Sequence, residues 1–257
     1  MEHNLTPARN KLYKTKWALK EALSSPKLFY RKLGSFLEAF YIDARHRQSA
    51  IKTVSLKELI APNVEIALSS IHGRDGNVTV YEKLAISALI RHHNPKILLE
   101  LGTFDGNTTL QMGLNTSPSA VIHTLDLPED FLRTKEPLSK ADLKYVLDTD
   151  KHRRKYQGTA VEAKIIQHFG DSTNFDFTKF TATGPVDFVF IDAGHTYECV
   201  KSDTQQALKV LAPKGVLVWH DCHPFWNGVY QYLNELALAL PIVRIADTNL
   251  AYYTAPA

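Results

Sequence analysis

The chain has 257 residues, 44% hydrophobic and 22% charged, with a net charge of +3. That is enough material for one large core, and it forces no role on a polyanion, so no specific nucleic-acid partner is expected. Two cysteines, Cys199 and Cys222, are too few for a disulfide framework and lack C-x-x-C spacing, which fits a reducing cytoplasmic compartment. No uncharged apolar run approaches the length of about 18 residues that a membrane span needs, and the sequons at Asn77 and Asn107 read as chance matches.

The charge is uneven. Residues 1–57 carry twelve Lys/Arg and four Asp/Glu, a local +8 that leaves −5 for the rest. Residues 8–48 have helical apolar spacing, and Pro26 divides them into two helices. Residues 1–60 therefore form a basic helical N-terminal extension to a main domain over 61–257. Residues 60–77, with Pro62, Gly73 and Gly76, read as a connecting loop, and 78–93 as a helix ended by Pro95. Short apolar runs then alternate with helical ones. The strands are 97–101, 121–126, 164–168, 186–192 and 215–220; the helices are 106–114, 197–211 and 227–239. Residues 242–253 close the chain as a strand pair. Apolar strands joined by helices specify an α/β fold, a mostly parallel sheet of about seven strands with helices on both faces. Residues 128–160 are charged and weakly patterned, and read as an insertion or lid.

The first strand runs into Glu100-Leu101-Gly102-Thr103-Phe104-Asp105-Gly106-Asn107-Thr108. In a doubly wound sheet, ligands bind beyond the carboxyl ends of the strands near the switch in strand order. Gly102 permits the tight turn, and Gly106 the close approach of the next helix. Asn107 or Thr108 is placed to cap that helix, whose free N–H groups favour an anion. A dinucleotide site needs a glycine at the middle position of G-x-G-x-x-G. Here Phe104 stands there, and its ring obstructs a pyrophosphate. The loop suits a cofactor with a carboxylate, an amine and an adenosine but no phosphates, which describes S-adenosylmethionine. In that reading Glu100 pairs with the ammonium and Asp126 accepts the ribose hydroxyls, beside Leu127. Asp171, between Gly170 and Ser172, accepts from the adenine amino group.

With these residues the chain resembles the class I methyltransferases, and within them bacterial O-methyltransferases of secondary metabolism and glycan chemistry. The resemblance covers residues 78–253 and is strongest over FIDAGHTYECVKSDTQQALKVLAPKGVLVWHDCHP (190–224), which holds an Ile-Asp-x-x-His-x-Tyr signature. It implies a Rossmann-like methyltransferase fold and S-adenosylmethionine as cofactor. It places a divalent metal, usually magnesium, on Asp192 and Asp221, and a general base on His195. Relatives often carry two acidic residues where this chain has His220-Asp221-Cys222-His223. Magnesium prefers oxygen ligands, and only two carboxylates are offered. Adjacent residues on an extended chain point opposite ways, so the four cannot all converge on one ion.

The expected reaction is O-methylation of a small-molecule or glycan hydroxyl. Positioning supplies most of the catalysis, a base removes the hydroxyl proton, and a cation on the same oxygen lowers its pKa. Tyr197, Trp219, Phe225 and Trp226 read equally as pocket lining and as core. The basic N-terminus has three readings: a solvated face, a peripheral contact with an anionic surface, or packing on a second subunit in a homo-oligomer. Two other functions compete, a nucleotide-linked oxidoreductase and a non-catalytic binding protein on the same fold.

Overall fold

The computed structural model describes residues 26–128, 144–145 and 153–257. The helix expected over 8–25 and most of the 128–160 insertion lie outside these residues. The chain divides into two compact units, Met1–Ser49 and Ala50–Ala257. The first contains helix α1 (Pro26–Arg47), which begins at the proline that the sequence marks as a break.

In the second unit the strands are β1 (Lys52–Val54), β2 (Ile97–Leu101), β3 (Val121–Asp126), β4 (Ile165–Phe169), β5 (Val186–Ile191), β6 (Leu211–Trp219), β7 (Val243–Ile245) and β8 (Ala251–Thr254). The helices are α2 (Val80–His93), α3 (Asn107–Asn115), α4 (Tyr197–Val210) and α5 (Asn227–Leu236). Among the described residues the sheet has eight strands in the order β1-β7-β8-β6-β5-β2-β3-β4. All neighbours are parallel except β8, which runs antiparallel to β6 and β7. The eighth strand is β1, whose three residues pair with β7 and extend the sheet into a stretch that the sequence assigns to the extension.

Side chains alternate across the sheet with the period of two that strands impose. Leu98, Ile122, Phe188, Phe190, Val216 and Val218 face one core with Ile86, Leu89 and Ile90 of α2. Leu99, Leu101, Leu125, Val189, Ile191 and Leu217 face the other, with Val200 of α4 and Leu233 of α5. Each fully buried aliphatic side chain contributes about 1.5–3 kcal/mol relative to exposure, so burial on both faces fixes the register of the central strands.

The order matters for the site. From β2 the chain moves outward through β3 to β4, then returns to β5 on the other side of β2. The switch point therefore lies between β2 and β5, and their carboxyl ends open a crevice. Backbone bonds stitch its floor: the Gly102 amide donates to Leu125, Asp192 to Leu101, and His220 to Ile191.

Candidate active site

A cavity of about 460 Å³ lies over the ends of β2 to β6. That volume is in the range of pockets that enclose a small ligand. Gly102 stands at its base with φ +94°, and an added Cβ would lie 1.9 Å from the Asp192 carbonyl oxygen. Only glycine allows the two loops to touch here. Gly102, Thr103, Phe104, Asn107 and Thr108 all line the cavity, as do Asp126 and Leu127 after β3 and Gly170, Asp171 and Ser172 after β4.

Two of the sequence-predicted residues are elsewhere. Gly106, at φ +73°, is the N-cap of α3 and is not part of the lining. Glu100 is fully buried on the face that also carries Leu98, and its Oε2 accepts from Thr109 at 2.5 Å and Thr124 at 2.6 Å. Glu100 is not among the residues that line the cavity, and its Oε1 is buried with no hydrogen-bond partner among the described residues. Burial pushes the Glu100 carboxyl up to about 8, against the lowering effect of the two threonine hydroxyls. Folded protein then holds a proton that the unfolded chain releases near 4.5, so this group's contribution falls as pH rises between 4.5 and about 8. Glu100→Gln is expected to hold its melting temperature better than the parent across that interval. Parallel melting curves for the two proteins against pH would contradict it.

The capping expectation also changes. Neither Asn107 nor Thr108 caps α3; the Asp105 carboxylate accepts the Asn107 amide at 3.0 Å. Asp105 is buried, and its Oδ2 lies 3.0 Å from Arg74 Nε and 2.8 Å from Lys155 Nζ. Burial raises its pKa, but hydrogen bonds from Lys155 and Arg74 outweigh this and hold it below the usual value. Two cations against one carboxylate leave excess positive charge at the start of α3. Asn107 Nδ2 is buried with no acceptor among the described residues, while Asn107 Oδ1 accepts from Lys83.

The loop read as a plain connector supplies a wall. Asp75, Gly76 and Asn77 line the cavity, with Gly76 packed directly against Phe104 and Tyr145. Arg74 Cζ sits 4.5 Å from the Phe104 ring centroid, and Tyr145 meets that ring edge-on at 5.7 Å. Phe104 itself adopts φ +49° and lines the cavity. Asp126 is already held: Arg154 Nη2 donates to its Oδ2 at 2.9 Å and the Leu127 amide to its Oδ1 at 3.0 Å. Asp171 accepts from the Thr173 amide and hydroxyl and from Asn174 Nδ2, so a local turn fixes its carboxylate.

At the other end of the cavity lie Asp192, His195 and Asp221. One donor atom from each falls within 4.8 Å of the others. His195 Nε2 meets Asp221 Oδ2 at 2.6 Å, and its ring stacks on Trp226 with centroids 4.0 Å apart. The Trp226 turn leads into α5, where a Cβ on Gly228 would strike the His195 carbonyl at 2.5 Å, so glycine permits this packing. His220 lies between the carboxylates: Nδ1 is 3.1 Å from Asp192 Oδ1 and 3.3 Å from Asp221 Oδ2, and Nε2 is 3.3 Å from Glu82 Oε2. Burial disfavours the charged ring, but Asp192 and Asp221 overcome it and raise the His220 pKa well above its usual value. Glu82, the capping-box residue of α2, also accepts the Asn249 amide at 2.8 Å. Although burial opposes it, contact with His220 brings Glu82 down to about 2. His220 and Glu82 were invisible as site residues in the sequence; the only signal was the histidine preceding Asp221.

The His-Asp-Cys-His run lies past the end of β6, and Asp221 at φ +57° leaves the extended conformation, so two adjacent residues face the same space. His220 and Asp221 line the cavity, Cys222 is buried, and His223 accepts the Phe225 amide. Of the aromatic residues, Trp226 lines the cavity. Trp219 is core, fully buried with Nε1 donating to Thr204 at 2.8 Å. Tyr197 binds Glu235 at 2.6 Å, and Phe225 is largely exposed.

Comparison with known proteins places this geometry in context. Residues 99–222 match the family described as a methyltransferase domain. No curated protein matches the chain. Among solved structures, the O-methyltransferase TomG from Streptomyces achromogenes, in complex with S-adenosylmethionine and involved in tomaymycin synthesis, is similar with a TM-score of 0.52. It is 18% identical, over 70% of this chain and 82% of TomG. A candidate O-methyltransferase from Klebsiella pneumoniae is similar with a TM-score of 0.50 at 16% identity, over 72% of this chain and 84% of its own. The chain has the Rossmann-like methyltransferase fold, and its segment 99–222, which carries the glycine loop and the Asp192–His195–Asp221 group, matches a methyltransferase domain.

Proposed function

We propose that this protein is an S-adenosylmethionine-dependent methyltransferase that acts on a hydroxyl of a small molecule or sugar, with His195 as general base and Asp221 as the residue that orients it. The observation that carries the reading is the 2.6 Å His195–Asp221 hydrogen bond at the rim of the cavity. A carboxylate held this way fixes the imidazole and stabilises the imidazolium formed when the ring accepts the acceptor's proton.

The lining suits the cofactor. The close approach at Gly102 makes a shallow floor, and the unpaired Asn107 Nδ2 is a donor for a carboxylate. The excess positive charge at the start of α3 favours the same group. Asp126 lines the cavity where a ribose diol would reach it, and Arg154 and the Leu127 amide hold it in place. When bound, S-adenosylmethionine supplies a methyl group on a sulfonium, which a nucleophile displaces in line. The protein's part is to align the acceptor oxygen, take its proton on His195 and exclude water; alignment alone is worth roughly 7–11 kcal/mol in favourable cases.

Asp192 and Asp221 would also hold a divalent cation, which would lower the acceptor's pKa; His195 is near enough to be a third ligand, but an imidazole that ligates gives up the lone pair that takes a proton, so that role is the alternative to its role as base. With His195 the donor set is two carboxylates and one imidazole. Nitrogen in the set suits manganese, iron or zinc better than magnesium, which favours oxygen. The test is transfer of label from methyl-labelled S-adenosylmethionine to a panel of phenols, sugars and hydroxylated small molecules, with chelator, magnesium or manganese. Labelled ether product is expected. Label on amine acceptors alone would remove the O-methyl assignment, and full activity in excess chelator would remove the cation.

A further inference from the structure

Asp105 lines the cavity, yet its carboxylate is fully engaged by the protein itself. Its Oδ1 accepts the Asn107 amide and Asn77 Nδ2, both at 3.0 Å. Its Oδ2 accepts Arg74 Nε at 3.0 Å and Lys155 Nζ at 2.8 Å. An ionised carboxyl has about four lone-pair sites, and these four donors use them. The donors come from stretches far apart in sequence. Residues 74–77 precede α2, Asn107 opens α3, and Lys155 belongs to 154–156, ahead of β4. Lys155 bonds twice more across the group: its amide donates to the Asp105 carbonyl at 2.8 Å and its Nζ to Asn77 Oδ1 at 3.2 Å. Arg74, Asp105, Lys155 and Asn77 thus form one connected group.

Both outer stretches are turns, with neither a helix nor a strand to hold them. Asp75, Gly76 and Asn77 line the cavity directly. Residues 154–156 do not line it but brace a residue that does, because Arg154 Nη2 donates to Asp126 Oδ2 at 2.9 Å. Tyr156 packs on Gly106, where an added Cβ would lie 2.8 Å from its ring, and its hydroxyl donates to Gln167 of β4 at 2.8 Å. The Asp105 side chain is 3% exposed, against 31% for Arg74 and 38% for Lys155. The group therefore has a wet outer side, where local opening is cheapest.

We propose that Asp105 is a positioning residue that clasps the two turns around the cofactor's end of the cavity, so that S-adenosylmethionine and its product enter and leave when the clasp opens. The inference rests on the cofactor reading given above. Exchange of an enclosed ligand needs its walls to part, and the bonds that resist parting here meet on one carboxylate. Asparagine in its place would set an amide donor against two cations.

The test is release of methyl-labelled S-adenosylmethionine from the full chain, displaced by excess S-adenosylhomocysteine. Arg74→Gln with Lys155→Met cuts the clasp and leaves the Asp105–Asn107 bond in place. It should speed release about tenfold or more, with the association rate changed less. Asp105→Ser keeps a hydroxyl for the Asn107 amide but is too short to reach both cations, and should speed release as much. Combining all three changes should add little, because they break the same group of bonds. A merely structural role would lower the melting temperature of the unliganded protein and the bound fraction, yet leave the rate at which the folded fraction releases label. That result, or unchanged release by both variants, would overturn the clasp alone. A parent protein that binds no label would overturn the cofactor reading, and the clasp with it.

Discussion

Gly102→Ala is expected to lower the melting temperature by about 6–12 °C, from a cost of roughly 3 kcal/mol in a domain this size. Two causes combine at one position. The residue has φ +94°, where a side chain costs on the order of 1–3 kcal/mol. Its Cβ would also lie 1.9 Å from the Asp192 carbonyl oxygen, a backbone atom that cannot rotate away. Relief requires β2 and β5 to part at the point where Leu101 accepts the Asp192 amide, so cofactor binding should fail as well. Gly158 separates the causes: it has φ +73° with nothing within 4 Å of an added Cβ. Gly158→Ala should cost only about 1 kcal/mol, from strain alone. Equal melting temperatures for the two variants would show that the contact between the loops is not required.

His195→Ala is expected to lower kcat about 10²–10⁴-fold on any acceptor that the labelled panel yields, with affinity for S-adenosylhomocysteine unchanged. Asp221→Asn should lower kcat similarly, because it leaves the imidazole without the carboxylate 2.6 Å away. The two groups act as one unit, so the double variant should be no slower than the worse single one. Losses that multiply would make His195 and Asp221 independent. Full turnover by His195→Ala would remove it as the base.

Much of this arrangement was legible from residue order. Apolar strands at 97–101, 121–126 and 186–192 marked the parallel sheet, and the glycine after the first marked the crevice. Strand parity also held information that a motif reading passes over. Glu100 shares the parity of Leu98, and its Oε2 meets Thr109 and Thr124. Trp219 shares a face with Leu217 and is core. Contacts made across sequence carried no local signal. Asp75, Gly76 and Asn77 reach the cavity from a loop without periodicity. Glu82, the capping-box residue of α2, meets His220, 138 residues away, and so stands behind the acidic group. The strand Lys52–Val54 is three residues long with no apolar alternation, and only its pairing with β7 identifies it.

Thermal shift of the full chain with S-adenosylhomocysteine tests whether the cavity binds S-adenosylmethionine. At 100 times its dissociation constant, a ligand that binds only the folded state adds about 2.7 kcal/mol. A rise of roughly 5–11 °C is expected, abolished by Gly102→Ala and unaffected by NADH. No shift with S-adenosylhomocysteine, or a shift with NADH alone, would contradict binding of S-adenosylmethionine.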